Sequence, residues 1–348
     1  MERWLTRVWY GGGGAGAALA PLAWLYAGVA GVRRSAYARG WLRTQATGSP
    51  VAVVGNLTVG GTGKTPLTLW LAGALAAQGI AVGIVSRGYG AASGAVRRVH
   101  ADDDWREVGD EPVLLAARTG APVVVAHDRV AAAREATRLG AELILSDDGL
   151  QHLRMARACE LIVIDGARGF GNGRLLPAGP LREHPERLAR ADAIILNGTP
   201  SAALLTEVRR LARGPIVQMR LEPAAARSIT GPSSVLPLAE LRGRRVHGVA
   251  GIGHPQRFFR ELAAADIDVI EHAFADHHAF SAAELAFEDE LPILMTEKDA
   301  VRCRALATGR MWYVPVSASF SAEDERALLE CVRERARRAH GPAPLGQP

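Results

Sequence analysis

The stretch "VAVVGNLTVGGTGKTPLTLWLAGALAAQG", residues 51–79, constrains the fold more than any other. Its start, 51–57, is a short apolar run rich in β-branched residues, which predicts a buried strand. Its end, 65–79, has helical periodicity and closes on Gly79, a helix stop. Between them lies "TVGGTGKT", residues 58–65. A glycine-rich turn that leaves a buried strand and opens a helix is the context of a phosphate-binding loop. Thr58 stands where the usual pattern has glycine, but Gly60, Gly61 and Gly63 still let the backbone curl round an anion. The main chain of Thr58, Val59, Gly60, Gly61, Thr62 and Gly63 and the helix N-terminus would hold phosphates. Lys64 would reach the β- and γ-phosphates of a nucleotide, and Thr65 would bind Mg²⁺.

A second element of such a site belongs on a neighbouring strand. "AELILSDD", residues 141–148, is an apolar run ending in Asp147 and Asp148, placed to hold Mg²⁺ directly or through water. The preceding "APVVVAHDRVAAAREATRLG" reads as strand then helix, so the unit is βαβ and the sheet parallel. "VSRGYG" (85–90) ends a further strand; Arg87 there either touches phosphate or merely follows the strand end. In "VGDEPVLLAARTG" (108–120), Asp110 fits a helix N-cap. The same carboxylate, near a γ-phosphate, would also orient or deprotonate an acceptor hydroxyl.

Composition sets the wider frame. A chain of 348 residues, 48% hydrophobic, suits two domains. Cys159, Cys303 and Cys331 show no C-x-x-C pair or zinc spacing and read as free thiols of a reducing compartment. The net charge of +5 fits an anionic membrane face or a phosphorylated substrate. Nucleic acid is the weakest reading, because the basic residues are not interleaved with aromatics. Only Lys64 and Lys298 are lysines among the 41 Lys and Arg residues. A lysine kept against such a bias marks a place where a compact ammonium is wanted. Lys298 is expected to make an ion pair within the C-terminal domain or to touch substrate phosphate.

From Val8 to Val32 no residue is charged. That length could span a bilayer, but Gly11 to Gly14 and Pro21 weaken a spanning helix, and Arg at both ends gives no orientation. A helix lying in one leaflet is preferred. Leu22, Leu25, Tyr26 and Val29 recur at helical spacing, Trp9 and Trp24 suit the interface, and the flanking arginines would meet anionic headgroups.

The acceptor side is expected in the loop "RGFGNGRLLPAGPLRE" (168–183), where Asn172, Arg174 and Arg182 would bind polar or phosphorylated groups. Composition shifts near residue 225, which places a domain boundary there. "HAFADHHAF" (272–280) holds three histidines near Asp276, better suited to acid–base work than to zinc.

Seven motifs in order, "VGNLTVGGTGKTP", "SRGYG", "GDEP", "DDGLQH", "GFGNGRLLPAGPLRE", "FADHHAF" and "MTEKDAVR", resemble those of the tetraacyldisaccharide 4′-kinase (LpxK) family over nearly the whole chain. Ala275 stands where proline would be expected. The resemblance implies an α/β fold: a RecA-like P-loop NTPase domain with a parallel sheet, a smaller C-terminal α/β domain closing over the site, and an N-terminal helix at the cytoplasmic face of the bacterial inner membrane. It implies transfer of the γ-phosphate of ATP to the 4′-hydroxyl of a tetraacylated glucosamine disaccharide 1-phosphate, giving lipid IVA, with ATP and Mg²⁺ as cofactors. It assigns the catalytic pair to Asp110 and His277. The expected division is 1–34 membrane-associating segment, 35–225 nucleotide domain, 226–338 C-terminal domain and 339–348 disordered tail, in a monomer. A soluble small-molecule kinase and a regulatory P-loop ATPase are the alternatives.

Overall fold

The computed structural model describes residues 2–11, 14–88, 95–231 and 233–340. Tyr89 and Gly90 of the "SRGYG" motif, and the tail from Gly341, lie outside them.

The strands are β1 Val51–Gly55, β2 Val82–Ser86, β3 Arg97–Val99, β4 Val123–Val125, β5 Leu143–Asp147, β6 Cys159–Asp165, β7 Ala193–Asn197, β8 Ile216–Pro223, β9 Ala226–Ser228, β10 Val235–Leu236, β11 Arg245–Ala250, β12 Asp268–Ala273, β13 Ile293–Thr296, β14 Met311–Val314 and β15 Val316–Ser319. Among the described residues β15-β8-β7-β6-β1-β5-β2-β4-β3 form the larger sheet. Its interior is parallel, and only the edge pairs β15–β8 and β4–β3 are antiparallel. β1 and β5 are buried along their whole length, as expected of parallel strands covered on both faces. One face packs on Leu67, Leu71 and Leu75 of the helix Lys64–Ala77. The other packs on Val130, Ala133 and Ala136 of the helix Arg129–Arg138.

The smaller sheet runs β10-β9-β14-β13-β11-β12, with β14, β13, β11 and β12 parallel. The turns after β11, β12 and β13 leave its carboxyl edge. They reach the nucleotide loop and the start of the helix Asp110–Thr119.

Several expectations need correction. The chain beyond Val314 does not stay in the second unit. β15 pairs with β8, and Leu328, Leu329 and Val332 of the helix Ala322–His340 enter the core of the larger sheet. The 226–338 division therefore cuts across the packing, because the last helix buries its apolar face only by returning. That helix also runs through Ala339 and His340, which the tail was expected to include.

The N-terminal run is not one helix. Glu2–Tyr10 is helical, Gly14–Leu19 is a 3₁₀ turn, and Ala20–Ala38 is a second helix. Pro21 lies in the first turn, where its missing N–H costs nothing, and so starts that helix instead of breaking it. No helix among the described residues is long and apolar enough to cross a membrane. Trp9, expected at an interface, is buried, and its Nε1 donates to the Pro177 carbonyl at 3.0 Å. Tyr26 also turns inward, its hydroxyl donating to the Arg182 carbonyl at 3.0 Å. Leu22, Trp24, Leu25, Val29 and Val32 remain exposed on the other side of the helix, Trp24 at 74%.

Candidate active site

The loop after β1 shows why threonine is tolerated at 58. The positive φ angles fall on Gly60 (106°) and Gly63 (96°), not on residue 58. Thr58 instead bridges to Leu181, and its carbonyl accepts from Asn56 Nδ2 at 2.7 Å. Gly63 has a second constraint: a Cβ there would lie 2.5 Å from Asn197 Nδ2, which itself donates to the Thr62 carbonyl at 2.8 Å. Asn197, at the end of β7, thus pins the loop from behind.

The sheet register sets Val54 of β1 beside Asp147 of β5, which brings the two carboxylates to the loop. Their environments differ. Asp148 has φ 49°, a left-handed conformation unusual for a residue with a side chain. Its carboxylate takes Arg182 Nη1 at 3.1 and 3.2 Å and lies 3.5 Å from Lys64 Nζ. Burial would raise its pKa, but Lys64, Arg182 and Arg129 outweigh this and hold it at about 2. Asp147 is 1% exposed, with the Thr68 hydroxyl donating to it at 3.4 Å. Burial, with the charges of Glu111 and Asp148, pushes its pKa up to about 7 against the pull of Lys64 and Arg129. Arg129 spends its Nη1 on Ser146 Oγ and the Asp147 carbonyl.

A buried carboxyl short of positive charge is the chemistry that a divalent cation satisfies, so the residues present fit Mg²⁺. No group of three or more His, Cys, Asp or Glu among the described residues could hold a metal alone. An ion held by one carboxylate, the Thr65 hydroxyl and nucleotide phosphates accords with how Mg²⁺ is usually bound. Lys64 Nζ is poised by Asn56 Oδ1 at 3.2 Å.

On the facing side, Asp110 is the first residue of its helix and not the N-cap that its sequence suggested; Gly109, with φ 94°, takes that place. The carboxyl is 3% exposed. Oδ1 accepts from the Glu111 amide at 2.8 Å, and Oδ2 lies 3.0 Å from His277 Nδ1 and 3.4 Å from Arg302 Nε. Burial favours the neutral acid, but the His277 bond and the charges of Lys298 and Arg302 win, so the carboxyl titrates below its ordinary value. The bond to Asp110 is also what raises the His277 pKa, against burial and the Lys298 charge. His277 has φ 58°, and its amide donates to Asp276 Oδ1 at 3.0 Å. Gly253, from "GIGHPQ", touches the nucleotide loop: a Cβ there would lie 3.2 Å from the Gly61 nitrogen and 3.3 Å from Asp276 Oδ2. The histidine loop and the phosphate loop therefore share one wall.

Among the described residues four ion pairs join the helices Asp110–Thr119 and Glu297–Cys303: Arg302 with Asp110 at 3.4 Å, Lys298 with Asp110 at 4.0 Å and with Glu111 at 3.1 Å, and Arg118 with Glu297 at 2.7 Å. Arg302 has a fully buried side chain and also donates to the carbonyls of Gly251 at 2.8 Å and His278 at 3.0 Å. Asp299 accepts from the Gly251 amide at 3.1 Å. Sequence reasoning passed over Arg302, Asp299, Glu111 and Asn197. The first two sit inside "MTEKDAVR", but no spacing rule says which strand end they would brace.

Asn172 donates to the Ala178 carbonyl of its own loop at 2.9 Å and to the Val8 carbonyl of the first helix at 3.4 Å, and accepts from the Arg174 amide at 3.1 Å. The Arg174 and Arg87 side chains are exposed. Lys298 pairs with Glu111 of the larger unit as well as with Asp276 of its own.

The glycine loop on a parallel sheet, with paired carboxylates at the next strand end, defines a nucleotide-binding P-loop protein of the α/β class. The chain belongs to the tetraacyldisaccharide-1-P 4′-kinase (LpxK) family, whose model matches residues 15–336. It is 53% identical to the tetraacyldisaccharide 4′-kinase of Alkalilimnicola ehrlichii over 86% of this chain and 88% of that one. It is 45% identical to that of Methylobacillus flagellatus over 96% of each. Its fold matches LpxK from Aquifex aeolicus, solved in complex with ATP, with a TM-score of 0.76 and 27% identity, over 92% of this chain and 99% of that one.

Proposed function

We infer that this chain is an ATP-dependent kinase of lipid A biosynthesis that phosphorylates the 4′-hydroxyl of tetraacyldisaccharide 1-phosphate, and we propose that Asp110 is the acceptor-side base. Family membership supports the activity. The observation that carries the residue assignment is the 3.0 Å contact between the buried Asp110 carboxylate and His277 beside the phosphate loop. A sugar hydroxyl is a poor nucleophile, and phosphoryl transfer depends chiefly on alignment and charge neutralisation. The loop amides and Lys64 align the triphosphate. Asp110 accepts the hydroxyl proton, and His277 Nδ1–H holds that carboxylate in place. Asp147 and Thr65 would hold Mg²⁺, which supplies positive charge to the phosphates. Asp148 keeps Lys64 and Arg182 in register. The assay is transfer of labelled γ-phosphate to tetraacyldisaccharide 1-phosphate. Absence of 4′-phosphorylated product with the full chain would overturn the reading.

A cleft of about 1030 Å³ lies between Trp9 and Tyr10 of the first helix, Val59 and Gly60, and Gly253 and Asp276. It is the place we assign to the disaccharide headgroup. The acyl chains then stay with the exposed apolar side of the helix Ala20–Ala38, resting on the cytoplasmic leaflet of the inner membrane. Arg39, which lies over the Trp41 ring at the end of that helix, suits anionic headgroups, whereas Arg33 and Arg34 turn to the Gln151 carbonyl and Glu183. Each apolar side chain transferred from water contributes roughly 1.5–3 kcal/mol. Changing Leu22, Leu25 and Val29 together to serine is expected to weaken vesicle binding by at least about tenfold. Co-sedimentation with anionic vesicles measures it, and unchanged binding removes this helix as the membrane contact.

The raised pKa of Asp147 gives a further prediction. A carboxyl that titrates near 7 in the folded chain and near 3.8 when unfolded keeps a proton between those values only when folded. Its contribution to stability is full below the lower value and is lost as pH rises through the upper one. Stabilisation by Mg²⁺ with nucleotide should therefore be larger at about pH 8 than at about pH 6. Asp147→Asn should shrink that difference in a thermal melt; an undiminished difference would place the effect elsewhere.

A further inference from the structure

Lys298 Nζ lies 3.1 Å from Glu111 Oε1, 3.4 Å from His277 Nε2, 3.5 Å from Asp276 Oδ1 and 4.0 Å from Asp110 Oδ2. Its side chain is 16% exposed. We propose that Lys298 is a positioning residue that sets the tautomer of His277: it donates to Nε2, so that Nδ1 carries the proton and donates to Asp110. The proposal rests on the reading of Asp110 as the base.

The argument is one of donors and acceptors. An ammonium has three N–H donors and no lone pair, so toward an imidazole nitrogen it only donates. Glu111, Asp276 and His277 Nε2 supply three acceptors around it. Burial would favour the neutral amine, but Glu111, Asp110 and Asp276 outweigh it and keep Lys298 charged. A neutral imidazole that accepts at one nitrogen carries its proton on the other. That proton then faces Asp110 Oδ2 at 3.0 Å.

The charged groups facing this imidazole are Asp110 and Glu111 from one helix, Asp276 from its own loop, and Lys298 and Arg302 from another. The Asp110 carboxylate by itself favours a second proton on His277, and the Lys298 charge opposes it. An imidazolium would bind the carboxylate more tightly and make Asp110 a weaker base. Lys298 thus offsets part of that rise and favours the neutral, reactive pair. Arginine would present a broader planar fork to the same three acceptors, which agrees with lysine standing here in an arginine-rich chain.

The test uses the full chain in detergent, with ¹⁵N-labelled histidine and a pH–rate profile. In the parent, His277 Nε2 is expected to show the unprotonated shift and Nδ1 the protonated one. Lys298→Met is expected to let Nε2 take a proton at neutral pH. The acid limb of kcat/KM should then move up by about one pH unit, with KM for ATP changed less than about twofold. Lys298→Arg, which keeps a cation, should leave the limb near its parental position at a lower kcat. A parental His277 with its proton on Nε2 overturns the proposal whether or not the variants fold. So does a Lys298→Met protein whose limb and histidine shifts match the parent. If Asp110→Asn retains parental turnover, the base assignment fails instead, and the histidine shifts still decide the role of Lys298.

Discussion

Asp110→Asn is expected to lower kcat by about 10²- to 10⁴-fold, the range of a lost general base, while KM for ATP changes less than about threefold. The substitution is nearly isosteric, so packing around the helix start survives. It removes the charge that gathers His277 Nδ1, Arg302 Nε and Lys298 Nζ about Oδ2. An amide offers no site for the departing proton, and half of its polar surface donates where three donors already converge. Single-turnover transfer from labelled ATP separates this chemistry from product release. Parental turnover in this variant would sink the assignment even with the substrate confirmed. A stability signature accompanies it. The Asp110 pKa is depressed in the folded protein, so its contribution is present above the ordinary carboxylate value and is lost as pH falls through the folded one.

Lys64→Met is expected to reduce kcat/KM for ATP by about 10²- to 10³-fold, the scale found when a preorganised charge-stabilising donor is removed. Lys64 is held by Asn56 Oδ1 at 3.2 Å and Asp148 Oδ1 at 3.5 Å, so its position is set before nucleotide arrives. Its loss also removes the leading cation opposing the raised pKa of Asp147, which should move further up. Lys64→Arg is not expected to restore activity, since a planar guanidinium fork does not replace the compact ammonium that meets Asn56 Oδ1 and Asp148 Oδ1. Calorimetric ATP binding beside turnover measures the split. ATP affinity and turnover both within about twofold of the parent would show that the loop does not act through this lysine.

Much of this was legible in the residues. The strand, glycine loop and helix at 51–79 follow from period and punctuation, and the βαβ repeat that follows forces a parallel sheet. The proposed catalytic pair follows only from the resemblance: "GDEP" and "FADHHAF" are 167 positions apart at Asp110 and His277, and no periodicity joins residues so distant. Cys159 and Cys331, scattered in sequence, meet where the last helix packs against β6, and both remain free thiols. Trp9 misled because an indole suits an interface and a core equally well. Only its Nε1 contact to Pro177 shows which it took.

The sequence by itself determined the local pieces: where strands end, which loop can wrap an anion, and which residues carry removable protons. These depend on backbone sterics and short-range patterning. Tertiary structure alone decided the rest. It made Asp148 an ion-pair partner and left Asp147 uncompensated. It turned one side of the Ala20–Ala38 helix inward, sent the last helix home to the larger sheet, and set a lone lysine against a histidine. Each of those outcomes depends on how much water and which opposite charge reach a group, and both are properties of the packed chain.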